Sequence, residues 1–137
     1  MTLDFFMAMD PPTVTAQEHQ VMIRNGKPVF YDPPELKAAR TKLIAFLGQH
    51  VPDTKMDGPL ELLTKWCFPA DYRHSDGEYR ITKPDTDNLQ KMLKDCMTKC
   101  GYWKDDCLVC REITEKFWAH IPGIYIRITE LGGDTNG

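Results

Sequence analysis

The sequence has no long hydrophobic run and no excess of basic residues. Its longest apolar runs, at 5–9 and 43–47, are much shorter than the roughly 20 residues that a transmembrane helix requires. The 17 Lys and Arg residues are outnumbered by 20 Asp and Glu residues, and the formal charge is −3. This balance excludes a protein that binds nucleic acid mainly through a basic tail. The first residues also lack the basic and apolar regions of a secretory signal, and we therefore expect a cytoplasmic protein with no membrane contact.

Cysteine occurs an odd number of times, which argues against a disulfide framework. Four of the five cysteines have C-x3-C and C-x2-C spacings: Cys96, Cys100, Cys107 and Cys110. Four thiolates at suitable positions form a closed structural zinc site. Cys96 and Cys100, however, fall on an apolar helical stripe, where a free cysteine packs as a small hydrophobic residue. We expect the cysteines to fill the core and keep zinc as the alternative.

Internal repeats and low-complexity segments are also absent, and 137 residues suffice for one domain with a real core. Nothing apolar follows Leu131. We therefore expect a single domain over residues 1–131 and a flexible C-terminal tail over 132–137.

Apolar periodicity divides this domain into strands and helices. Asn25-Gly26 between two apolar segments predicts a hairpin, and Pro28 places it at a sheet edge. In chain order, we expect a strand at 3–9, the hairpin, a helix from about 34 to 49, a strand at 60–68, a helix within 85–100 and strands at 108–118 and 123–131. Residues 69–82 carry mixed charges and indicate a mobile loop. These elements favour an α/β fold, in which two main helices cover a mixed sheet.

The densest group of polar residues is the segment 83–91, which reads Lys-Pro-Asp-Thr-Asp-Asn-Leu-Gln-Lys. Asp85 and Asp87 point to the same side only if both precede the helix in an extended conformation. Asp87 then caps the helix, Gln90 completes a capping box, and Lys91 lies one turn further on the same face. Taken alone, an Asp-x-Asp-Asn segment is more often only a helix cap with a turn.

A second acidic pair, Asp105-Asp106, follows this helix just before a strand. If the chain turns back toward the start of the helix, Asp106 joins Asp85 and Asp87. Carboxylates are suitable ligands for Mg²⁺, which activates water and neutralises the charge on a scissile phosphate. A neighbouring lysine such as Lys91 stabilises the charge that develops. Taken alone, this pair is more often a solvated acidic turn.

Together, the two segments resemble the RusA family of Holliday junction resolvases. That family has an Asp-x-Asp-Asn-x-x-Lys motif at a helix start, and after the helix a glycine, a short variable stretch and Asp-Asp leading into a strand. Here 85–91, Gly101 and Asp105-Asp106 occupy these positions at matching spacing. The resemblance is strong over 83–131, and looser over the predicted strand at 60–68 and the predicted helix at 34–47.

The resemblance implies a RusA-like fold and a homodimeric, Mg²⁺-dependent endonuclease, in which Mn²⁺ substitutes for Mg²⁺. Such an enzyme nicks two strands of four-way junction DNA symmetrically, in DNA recombination and repair, and many members come from phages or prophages. By motif position, Asp85, Asp87 and Asp106 match the catalytic, metal-binding carboxylates, and Lys91 matches the essential lysine. Asp105 is an auxiliary candidate at the first position of the acidic pair.

Other charged residues near the predicted site are weaker candidates. Asp95 lies on the same helix and is a second auxiliary acid. Four basic residues are candidates for DNA contact: Arg73, Arg80, Lys83 and Lys94. Two other functions stay open at this point, a structure-selective nuclease for flaps or forks, and a non-catalytic zinc or DNA-binding module. A substrate panel distinguishes the first, and metal content with a cleavage assay distinguishes the second.

Overall fold

The computed structural model describes residues 1–15, 20–31 and 33–132 of the chain. Its elements are β1 (Thr2–Met7), β2 (Gln20–Arg24), β3 (Lys27–Tyr31), α1 (Pro34–Leu47), β4 (Leu60–Pro69), α2 (Thr86–Cys100), β5 (Val109–Ala119) and β6 (Gly123–Glu130), with a short 3₁₀ turn at Asp106–Leu108. The predicted α/β class, with a mixed sheet and two main helices, is confirmed. The predicted single domain over 1–131 stays a prediction, and of the predicted tail, 133–137 lie outside the described residues. In the described part of the chain, no helix is both long and apolar enough to cross a membrane.

Four strands form the main sheet in the order β1-β6-β4-β5. β6 pairs antiparallel with both β1 and β4, whereas β4 and β5 run parallel. Because parallel neighbours cannot be joined by a tight turn, the chain between them forms a crossover that contains α2.

The hairpin forms a separate two-stranded sheet of β2 and β3. Asn25 and Gly26 have φ values of 50° and 75°, the left-handed conformations that a tight two-residue turn requires. The predicted turn is therefore confirmed, but the hairpin does not extend an edge of the main sheet.

The core lies between the two helices and one face of the main sheet. Alternate residues of β4 point into it, as the sequence predicts, and all are buried: Leu60, Leu62, Thr64, Trp66 and Phe68. Helix α2 contributes Leu89, Met92, Leu93, Cys96 and Met97 to the same core. On the opposite face of β4, the buried carboxylate of Glu61 accepts a hydrogen bond of 2.6 Å from Arg111.

The segment between β4 and α2 is bonded to the outer edge of β5, and the prediction of a mobile loop is wrong here. The Gly77 and Arg80 amides donate to the Trp118 and Lys116 carbonyls, and the Trp118 amide donates to Glu78. His74 stacks on Trp118 with ring centroids 4.1 Å apart. Irregular backbone is therefore held against the edge strand, where its hydrogen bonds are satisfied.

Helix α2 ends at Gly101, as predicted, with a left-handed φ of 93°. The chain then enters the core, where Tyr102 is fully buried. Its hydroxyl donates a hydrogen bond of 2.6 Å to the Leu47 carbonyl at the end of α1, and burial raises its pKa. Tyr102 thus joins the ends of the two helices.

Replacing Tyr102 with Phe removes this hydrogen bond and leaves the ring in place. We expect a loss of about 1 kcal/mol in the free energy of unfolding, because the Leu47 carbonyl keeps only its bond from the His50 amide. Urea denaturation measures the change. Tyr72→Phe is the matched control, since Tyr72 is 93% exposed. Equal stabilities of the two variants would contradict this account.

Candidate active site

The start of α2 differs from the sequence prediction. Asp85, in an extended conformation, is the N-cap, and the helix begins at Thr86, so that Asp87 lies in its first turn. The predictions that Asp87 caps the helix and that Gln90 completes a capping box are both wrong. Asp85 makes no side-chain capping bond. The two carboxylates consequently leave the backbone at different points, one before the helix and one on its surface.

An open cleft of about 410 Å³ runs between α2 and β5. Helix α2 contributes residues at i, i+3, i+4 and i+7, which share one face: Asp87, Gln90, Lys91 and Lys94. Glu112 and Thr114 of β5 and Asp106 of the 3₁₀ turn complete the wall, together with Thr86. Three of the predicted site residues, Asp87, Lys91 and Asp106, therefore share one cleft.

Two smaller depressions adjoin this cleft. Asp87 also borders the first, with Lys83 and Asp85. Asp106 also borders the second, with Asp95 and Asp105. Asp87 and Asp106 thus each border two of these depressions, Asp85 shares one of them with Asp87, and the auxiliary acids share the other with Asp106.

A hydrogen bond within the chain fixes the conformation of the acidic pair Asp105-Asp106. The Asp105 carboxylate accepts a hydrogen bond of 3.0 Å from the Cys107 amide. This bond caps the 3₁₀ turn and lowers the pKa of Asp105. Asp105 therefore has a structural role in presenting Asp106, which is half-buried and faces the cleft.

No three His, Cys, Asp or Glu side chains within residues 1–15, 20–31 and 33–132 are grouped closely enough to hold a metal ion together. Joint coordination by Asp85, Asp87 and Asp106 stays a prediction. The chemistry of the cleft nevertheless suits a hard cation, because Mg²⁺ takes oxygen ligands and usually binds one or two carboxylates together with water and substrate phosphates. Asp87 is exposed, and no described side chain forms an ion pair or hydrogen bond with it.

Gln90 connects the cleft to the core. Its side-chain carbonyl accepts a hydrogen bond of 2.8 Å from Thr64 and one of 3.3 Å from the Trp66 indole. Its amide group donates to Glu112 at 3.1 Å, and Lys94 forms an ion pair with the other Glu112 oxygen at 2.5 Å. The amide thus satisfies polar groups on two strands and fixes the distance between α2 and β5.

The four candidates for DNA contact are in different situations. Arg73 and Lys83 are exposed. Lys94 is paired with Glu112 inside the cleft. Arg80 is half-buried, lies over the rings of Phe68 and Trp118, and donates a hydrogen bond to the Lys83 carbonyl. Arg80 and Lys94 are therefore already engaged with the protein.

In the described part of the chain, no three His, Cys, Asp or Glu side chains, these cysteines included, are grouped as the alternative zinc site would require. Cys96 lies in the core, where burial raises its pKa to about 11 and opposes the thiolate form that zinc binding needs. Cys100 and Cys110 point at carbonyls of α1 and β4 respectively. Cys107 and Cys110 are exposed, so the expectation that all the cysteines fill the core is wrong for these two.

A family model described as "Endodeoxyribonuclease RusA" matches residues 11–129. The chain belongs to the RusA family. The match spans both acidic motifs and the strands β4, β5 and β6 of the main sheet, apart from the last residue of β6, and β1 lies outside it. The resemblance carried by 83–131 is therefore confirmed, and with it the class of enzyme, a nuclease.

Two relatives of this RusA-family chain match most of its length. A protein of Lactococcus phage r1t named crossover junction endodeoxyribonuclease rusA is 26% identical over 131 residues, which are 96% of this chain and 100% of the phage protein. The uncharacterized protein YqaN of Bacillus subtilis (strain 168) is 30% identical over 120 residues, which are 80% of this chain and 84% of YqaN.

Four residues that line the cleft are not among the site residues that the sequence predicts: Thr86, Gln90, Glu112 and Thr114. The sequence predicts that Gln90 completes a capping box, whereas its side chain turns inward to Thr64 and Trp66. Glu112 had no role, although strand alternation places it on the same face as Thr114 and Lys116. A row of polar residues on one face of a strand was the available signal that this face borders a cleft rather than the core.

Replacing Gln90 with Met keeps the length of the side chain and removes its hydrogen bonds. We expect a loss of about 1–3 kcal/mol in the free energy of unfolding, because the buried Thr64 hydroxyl loses its acceptor and the Trp66 indole keeps only its hydrogen bond to the Thr64 oxygen. Chemical denaturation checks this value. Gln49→Met, at an exposed position after α1, is the matched control. A Gln90→Met variant as stable as this control would show that the amide does not hold the cleft together.

Proposed function

We propose that this RusA-family nuclease is a Mg²⁺-dependent homodimer that resolves four-way DNA junctions by paired symmetric nicks, in DNA recombination and repair. Mn²⁺ is expected to substitute for Mg²⁺, and a phage or prophage origin fits the name of one relative. The observation that carries the proposal is the shared cleft of Asp87, Lys91 and Asp106. The match covers the full length of the phage relative, and the name of that relative supports the junction as substrate.

The charge of the cleft supports metal dependence. Three acids and two lysines line it: Asp87, Asp106, Glu112, Lys91 and Lys94. Their formal sum is −1, which repels the phosphodiester backbone. Asp87 and Asp106 would hold Mg²⁺, with Asp85 beside Asp87 as the third candidate ligand. The bound ion supplies charge neutralisation at the scissile phosphate and a water of lowered pKa.

The two lysines of the cleft have different roles. Lys94 is neutralised by Glu112 at 2.5 Å and belongs to the wall. Lys91 is exposed, and no described carboxylate lies within ion-pair distance of it. Its position one helical turn after Asp87 lets it donate hydrogen bonds to a phosphate oxygen held near that carboxylate, where they stabilise the charge of the transition state.

The symmetry of the proposed substrate supports the proposal that the protein acts as a dimer. A four-way junction has approximate two-fold symmetry, and a two-fold dimer presents two copies of one cleft to two equivalent strands. One chain carries a single cleft with Asp87, Lys91 and Asp106 among its described residues. Paired cuts within one bound complex therefore require a second copy.

Replacing Asp87 with Asn tests the assignment of the cleft. We expect the variant to bind a labelled four-way junction as tightly as the wild type and to cleave it at least about 100-fold more slowly, because a neutral amide is a poorer ligand for Mg²⁺. Asp53→Asn makes the same change at an exposed position away from the cleft and should cleave normally. Normal cleavage by Asp87→Asn would contradict the assignment.

Substrate choice is tested with the wild-type protein. On a panel of four-way junctions, forks, flaps and linear duplexes of matched sequence, we expect symmetric nicks in the four-way junction and little cleavage of the others. Equal cleavage of flaps or forks would contradict junction resolution and favour the structure-selective alternative. Binding without cleavage of any substrate would favour the non-catalytic module.

Removal of divalent cations tests the proposed cofactor. EDTA should abolish cleavage, and Mg²⁺ or Mn²⁺ in excess should restore it, because the cleft is negatively charged without a bound cation. Junction binding measured in EDTA is the control for loss of structure. Undiminished cleavage in EDTA would show that the carboxylates act without a metal.

A further inference from the structure

Two basic side chains hold the segment that leads into Asp85. The Lys116 ammonium group donates hydrogen bonds of 2.7 Å to both the Thr82 and the Pro84 carbonyls. The Arg80 guanidinium group donates a hydrogen bond of 2.5 Å to the Lys83 carbonyl between them. Three consecutive carbonyls are therefore bound by two cations, directly before Asp85.

Contacts with the main sheet hold Arg80 and Lys116 in place. Lys116 lies on β5, on the same face as Glu112 and Thr114 of the cleft. The guanidinium carbon of Arg80 lies 4.3 Å from the centre of the Phe68 ring and 4.5 Å from that of Trp118, within the range of cation–π contacts. A backbone bond of 3.0 Å from the Arg80 amide to the Lys116 carbonyl joins the two residues.

Placing the two partly buried cations side by side costs free energy unless the carbonyl oxygens stabilise them. Burial lowers the pKa of Lys116, the nearby charge of Arg80 lowers it further, and Asp85 acts in the opposite direction. Burial also lowers the pKa of Arg80. Two cations thus lie side by side, partly removed from water, and the carbonyl oxygens of the segment are the groups that solvate them.

From this geometry we infer that Arg80 and Lys116 are positioning residues, which fix the backbone before Asp85 and thereby hold its carboxylate in the depression that it shares with Asp87. The inference rests on the proposed function for its catalytic consequence. Two of the three ammonium donors of Lys116 are used by carbonyls, so Lys116 acts on the reaction through the segment rather than through the DNA. Arg80, predicted from the sequence to contact DNA, receives the same role.

Replacing Lys116 with Met removes the ammonium group and keeps an unbranched side chain. In the DNA-free protein, we expect the ¹⁵N heteronuclear NOE at the Thr82, Lys83 and Asp85 amides to fall, while values in α2 stay unchanged, since this measurement reports fast backbone motion. Cleavage at saturating protein should slow by about 10- to 100-fold, with junction affinity within about twofold of the wild type. Lys116→Arg, which restores a cation with several donors, should recover most of the rate.

Lys65→Met is the matched control, because Lys65 is exposed on the opposite face of the neighbouring strand. It should change neither the NOE nor the rate. If Lys116→Met does not fold, Arg80→Met tests the same claim through the Lys83 amide alone.

Three results would overturn the inference: unchanged NOE values in the variant, an unchanged cleavage rate, or a fall in junction affinity that accounts for the loss of rate and marks Lys116 as a DNA contact. If the wild type cleaves no junction, the proposed function has failed. The NOE values then still decide whether the two cations hold the segment.

Discussion

The parallel pairing of β4 with β5 is the constraint on which the rest of the structure depends. Because two parallel strands start at the same end of the sheet, the chain must run back along the length of the strands between them. It does so through α2, a helix of 15 residues and about 22 Å in length. One acidic motif lies where the crossover starts along α2, and the other lies where it enters β5. The cleft lies between α2 and β5, and residues of both motifs line it.

This topology explains why the acids of the two motifs approach the cleft from different directions. Asp87 stands on the first turn of α2, Asp106 on the turn before β5, and Asp85 on the segment that precedes the helix. Each is held by a different device. The helix itself positions Asp87, the Asp105 cap presents Asp106, and the bonds from Arg80 and Lys116 fix the chain before Asp85. The proposed site, which is assembled from three segments, depends on such supports, because small displacements of reacting groups slow a reaction strongly.

The face of the crossover that lines the cleft is polar for the same reason. A helix packed on an edge strand leaves part of that strand facing a solvent-filled cleft, and apolar side chains there would be exposed. Gln90, Glu112 and Lys94 fill this position with a connected set of hydrogen bonds. Since every buried member has a partner, the network keeps the walls apart without the cost of an unsatisfied polar group.

Much of the fold was predictable from periodicity. Alternation along β4, the Asn25-Gly26 turn and the helical stripe that ends at Gly101 are local patterns, and the structure confirms all three. The pair of acidic motifs was recognisable because its spacing is a property of the sequence. Predictions that depend on contacts between residues distant in sequence were less often correct.

The failures share one physical cause, which is that partners distant in sequence determine the role of a side chain. Gln90 resembles a capping residue until Thr64 and Trp66 are placed beside it. For Arg80, the sequence does not show the two aromatic rings and the carbonyl that surround its guanidinium group, and its contact with DNA stays a prediction. The segment 69–82 reads as mobile because its hydrogen bonds are made with β5, some 40 residues later.

The central claim is that two copies of this cleft cut a four-way junction together, and a supercoiled plasmid with an extruded cruciform tests it most directly. Paired incision within one bound complex converts the plasmid to linear DNA without an accumulating nicked circle, and the account predicts this product in Mg²⁺. Accumulation of nicked circles that become linear only later, or no incision at the cruciform, would contradict it.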